Sequence, residues 1–68
     1  MYIYPRIRDL REDKDLSQED IAKIIGTSQT QYSRWERGHR EMPMHIAVIL
    51  AKFYGVSMDY IVEHMHEV

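Results

Sequence analysis

Gln29, Thr30, Ser33, Arg34 and Arg37 carry the chemistry of this chain. At about 100° per residue, Thr30, Ser33, Arg34 and Arg37 fall on one side of a helix, and Tyr32 and Trp35 on the other. The polar set has no use inside a core. A glutamine amide pairs bidentately with adenine, an arginine reaches guanine or phosphate, and a threonine meets a base edge or the thymine methyl. Gln29, Thr30 and Arg34 are therefore expected to contact bases, with Ser33 and Arg37 on phosphate.

That segment needs a helix to display it and a second helix to prop it. Ser28 is a good N-cap for a helix over 29–37, and Gly38 ends it. Ser17 caps a preceding helix over 18–25, with Asp20 completing a capping-box pattern, and Gly26 ends that one. Two capped helices joined by a tight turn form a helix-turn-helix, whose second helix enters the major groove. The helix starts at Ser17–Gln18 and Ser28–Gln29 offer backbone N–H groups and positive dipole ends to phosphates.

The other elements follow the same signals. Pro5 opens a helix over 5–14, with Ile7 and Leu10 on one side. Asp15 stands where that helix stops, in a position suited to left-handed geometry. Pro43 opens a helix over 44–54 that is apolar almost all round, leaving Ile49 between His45 and Lys52. Ser57 caps a last helix over 57–64, with Met58, Ile61, Val62 and Met65 available to pack. Met1 to Tyr4 reads as an arm or an extended lead over the core.

At 68 residues the chain holds one domain, 1–68, with net charge −2 and no cysteine. A core of this size contributes only roughly 3–5 kcal/mol of net stability. Thiolate metal sites and disulfides are excluded, and His64 and His66 lack a third ligand, so neither metal nor cofactor is expected. No apolar run approaches the roughly 20 residues of a membrane helix. A soluble cytosolic protein is expected, and no triad or paired-carboxylate spacing suggests an enzyme. The acidic sum hides a local asymmetry: Arg34 to Arg40 holds three arginines and His39 against one acid, Glu36. Such a patch binds phosphate even on an acidic body.

The stretch SQEDIAKIIGTSQTQYSRWERG resembles the DNA-binding domain of lambda-repressor-like (Xre/Cro-type) regulators. RIRDLREDKDLS before it and PMHIAVILAKFYGVSMDYIV after it extend the likeness over about residues 6–62. The resemblance implies an all-α bundle of five helices that binds double-stranded DNA as a homodimer. It further implies base contacts from Gln29, Thr30 and Arg34. Backbone contacts would come from Ser17, Gln18, Ser28, Arg37 and the loop carrying His39 and Arg40. Gln18 would also brace Gln29, and Arg11 would pair with Glu36, tying the first helix to the third. The expected dimer interface is Ile49 with Met58, Ile61, Val62 and Met65. Four positions depart from the family's pattern: Asp15 for glycine, the bulky Tyr32, Glu41 in the loop, and Ile49 for a polar residue. The competing expectation is an antitoxin or phage antirepressor module that uses the last two helices to hold a protein partner.

Overall fold

A computed structural model of the chain describes residues 4–62. Met65, His64 and His66, and the Met1–Ile3 part of the arm, lie outside the described residues. Within them the fold is all-α, with α1 Pro5–Asp13, α2 Gln18–Ile25, α3 Gln29–Glu36, α4 Met44–Tyr54 and α5 Met58–Val62. No helix of the described residues is long and apolar enough to cross a membrane.

The caps read from the sequence set these bounds. Ser17 Oγ accepts from the Asp20 N–H, and the Asp20 carboxylate accepts from the Ser17 N–H, each at 3.0 Å. Ser28 Oγ accepts from Gln31 N–H at 3.1 Å, and Ser57 Oγ from Tyr60 N–H at 3.1 Å. These bonds satisfy donors that the start of a helix leaves without partners. The α2–α3 turn depends on Gly26, at φ 81°. A Cβ there would meet nothing within 4 Å. The left-handed backbone, and not crowding, therefore selects glycine. Asp15 adopts φ 56°, the one non-glycine in left-handed geometry among the described residues.

The core gathers one face from every helix: Ile7 from α1, Ile21, Ala22 and Ile25 from α2, Tyr32 and Trp35 from α3, Ile46, Leu50 and Ala51 from α4, and Ile61 from α5. Tyr4 and Met42 close it, and the Tyr4 hydroxyl accepts from the Met42 backbone N–H at 2.8 Å. This bond pins the loop after α3 to the start of the chain, a contact 38 residues long in sequence. One expected interface residue is displaced by this packing. Ile61 is 1 % exposed and belongs to the core of the single chain, so it has no surface to give a partner. Amphipathic spacing on a five-residue helix could not separate its inward residue from its outward ones. Met58 and Val62 are half-buried against the core, and Ile49 is exposed on α4.

Candidate nucleic-acid interface

Helix α3 lies across α2, and the two pack together more extensively than α3 does with α1. Where they meet the solvent they leave an open groove of about 470 Å³. Its lining is Gln18 from α2, Gln29, Thr30, Ser33 and Arg34 from α3, and Arg37 and His39 just beyond. The positions first singled out for their chemistry therefore share one concavity. Ser17, Ser28 and Arg40 are exposed but lie outside that lining.

The groove carries arginines and no carboxylate because Glu36 turns away from it. The Arg11 guanidinium donates twice to Glu36, from Nε to Oε2 at 2.9 Å and from Nη2 to Oε1 at 3.1 Å. Its remaining nitrogen, Nη1, donates to the Leu16 carbonyl at 2.8 Å. The side chains of Arg11 and Glu36 are 12 % and 6 % exposed. A bidentate pair this dry couples α1 rigidly to the back of α3. Burial alone would push the Glu36 carboxyl up. Hydrogen bonds from Arg11 and Gln18, the nearby Tyr32 hydroxyl and the Arg11 charge together outweigh burial and hold it below its ordinary range. Tyr54 sits within the field of the same pair, and its phenol is pushed up to about 12, chiefly by burial.

Sequence reasoning missed the bond that joins this pair to the groove. Gln18 Nε2 donates to Glu36 Oε1 at 3.0 Å. Only a hydrogen-bond donor is welcome beside a carboxylate, so this bond fixes which end of the Gln18 amide points inward. Its carbonyl is then the end left for the groove. The signal was present in the capped start of α2, but nothing in the spacing says that Gln18 and Glu36, 18 residues apart, should meet.

The sequence pattern of the helix-turn-helix family matches residues 7–61. The chain belongs to the helix-turn-helix family. It is 40 % identical over 57 residues to the cryptic phage CTXphi transcriptional repressor RstR of Vibrio cholerae, covering 84 % of this chain and 51 % of that one. It is 39 % identical over 56 residues to YobD of Bacillus subtilis, an uncharacterized helix-turn-helix-type transcriptional regulator, covering 82 % and 50 %. The chain thus spans about half the length of these two relatives. Among solved structures it superposes on the P22 c2 repressor protein in complex with a synthetic operator. The TM-score is 0.82 at 28 % identity, over 93 % of this chain and 96 % of that one. The lambda-repressor-like fold is therefore the fold of this chain.

One expected contact residue of the helix-turn-helix is placed otherwise. Ser33 is 8 % exposed and its hydroxyl is buried, where it finds no hydrogen-bond partner among the described residues. It contributes to the groove wall, but its Oγ is closed off from solvent. Helical projection put it beside Arg37 on the outer face, whereas in the packed chain it is buried. Ser33→Ala should therefore leave DNA affinity unchanged. It should raise stability by about 1 kcal/mol, because an unsatisfied buried hydroxyl is removed and alanine is the better helix former. Urea titration reads the stability, and a loss of 1 kcal/mol or more would show that the hydroxyl is satisfied after all. The Tyr32 hydroxyl is likewise buried beside Glu36 yet outside hydrogen-bonding geometry.

Proposed function

We propose that this chain binds duplex DNA sequence-selectively through α3 and regulates transcription, most simply as a repressor. The single observation behind this is the groove itself, which brings Gln18, Gln29, Thr30, Arg34, Arg37 and His39 together with no carboxylate among them. Gln29 and Thr30 stand in the first turn of α3, the part of a recognition helix that meets base edges. Arg34 follows one turn on. Arg37, His39 and the exposed starts of α2 and α3 at Ser17 and Ser28 serve the phosphates, which set register without reading sequence. Arg40 adds to the same field from the loop.

The working unit in this reading is a homodimer on a near-palindromic operator, with half-sites about one helical turn, roughly 34–36 Å, apart. Ile49 and the flanks of Met58 and Val62 offer the apolar surface for it. We place the protein in the cytoplasm and assign it no catalysis. The relatives, about half of whose length the match covers, are regulators by name, which supports the class of activity for this chain.

A mobility-shift assay with genomic fragments tests the proposal. Salt-sensitive, sequence-selective retardation is expected, with two chains per duplex at saturation. Absence of binding at low salt across the whole library would refute it. A reporter fused to the recovered site separates repression from activation. Gln29→Ala and Arg34→Ala should each cost roughly 1–3 kcal/mol at the cognate base pair and relax selectivity there. Equal weakening on every sequence would contradict direct readout by these side chains.

A further inference from the structure

We propose that His39 is a proton-linked phosphate contact: the chain takes up a proton at this imidazole when it docks on DNA, so that its affinity rises as the pH falls. This rests on the DNA-binding reading above and adds a regulatory property to it. The position is built rather than incidental. Gly38, at φ 80°, turns the chain out of α3, and the His39 backbone N–H then donates back to the Arg34 carbonyl at 2.8 Å. The backbone of His39 is thus fixed at the end of the recognition helix, while its side chain is exposed and lines the groove with Arg34 and Arg37.

Histidine is the side chain whose charge ordinarily changes between pH 5 and 8. The charged groups lining the groove beside it are Arg34 and Arg37, both cations, while α2 supplies the neutral Gln18. Its neighbours in the loop are the exposed Arg40 and Glu41, and Glu41 lines a different hollow with Met42, Pro43 and Met44. Glu36 is engaged by Arg11 and Gln18 and stays ionised throughout this window, because its carboxyl is held below its ordinary range. A duplex brings phosphates into the groove that His39 lines, and they favour the cationic imidazole. A group whose proton is held more tightly in the complex than in the free protein strengthens binding at low pH. That gain is lost as the pH rises through the value in the complex.

The test uses the full chain and a labelled pool of random-sequence duplexes of about 20 base pairs, two helical turns, so that no operator need be known. Fluorescence polarisation from about pH 5.5 to about pH 8 should show affinity falling about tenfold for the native protein. The slope of log affinity against log salt should be steeper at the acid end by about 0.9, one additional phosphate neutralised. His39→Gln should flatten both dependences at the weaker level. His39→Lys should flatten both at the tighter level, since its charge persists. Circular dichroism at the two pH limits checks that each variant is folded, and a merely structural role for His39 would not move the salt slope. The inference is overturned if binding is present but independent of pH, or if His39→Gln keeps the native pH dependence. Absence of binding to the pool at any pH overturns the DNA-binding reading itself.

Discussion

Glu36→Ala should destabilise the domain by about 3 kcal/mol, because it strands the largely buried Arg11 guanidinium and releases the Gln18 amide in one step. Against a total of roughly 3–5 kcal/mol for a domain of this size, that leaves roughly 0–2 kcal/mol, so that from a few per cent to about half of the chains are unfolded at ambient temperature. Urea titration with a helical signal measures it, and a loss below 1 kcal/mol would show that the pair adds little. A control separates charge from packing. Arg11→Met together with Glu36→Leu should recover most of the stability, since apolar replacement of both partners of a buried pair is often neutral or better. DNA affinity should not recover in step, because Gln18 still lacks the carboxylate that orients it. The pH dependence has a definite sign. The Glu36 carboxyl is held below its ordinary range in the folded chain. Its stabilising contribution is therefore fully present above about pH 4.5 and is lost as the pH falls through its folded value.

Trp35→Ala is expected to abolish cooperative folding. Trp35 is almost wholly buried on the inner side of α3, next to the fully buried Tyr32 one turn earlier. Truncating a buried tryptophan costs about 3–5 kcal/mol, through lost transfer energy and the cavity left behind. That equals what the whole core supplies. The recognition helix is hit first, since Trp35 and the Arg11–Glu36 pair are what hold it against the rest of the bundle. Thermal melting should show no sharp transition, and retardation of DNA should disappear with the helical signal. Trp35→Phe, which keeps an aromatic filler, should melt cooperatively at a lower temperature. A cooperative melt for Trp35→Ala at the native midpoint would mean that α3 is anchored elsewhere.

Much of this architecture is legible in the order of residues. The expected helix over 29–37 ends one residue sooner, at Glu36, and the expected 5–14 ends at Asp13. Ser17, Ser28 and Gly26 act through bonds within a few residues of themselves, so that local chemistry suffices to place α2, α3 and the turn. The inward Tyr32 and Trp35 and the outward Gln29, Thr30, Arg34 and Arg37 follow from helical period. Ser33 and Ile61 do not. Each sits at the edge of its helix's apolar stripe, where burial depends on which neighbour packs beside it. The Gln18–Glu36 and Tyr4–Met42 bonds were out of reach for the same reason.

The sequence by itself determined the five helices, their caps and the polar side of α3, because each is a matter of hydrogen bonds and periodicity over a few residues. The resemblance of its helix-turn-helix stretch to a known family supplied the expectation that Arg11 meets Glu36. Only the tertiary structure decided what the groove contains. It turned Glu36 inward onto Arg11 and left the arginines unopposed. It also buried Ser33, oriented the Gln18 amide and set His39 in the groove lining with Arg34 and Arg37. Those outcomes depend on the distance between groups far apart in the chain, and distance sets both the strength of a charge interaction and whether water is left to screen it.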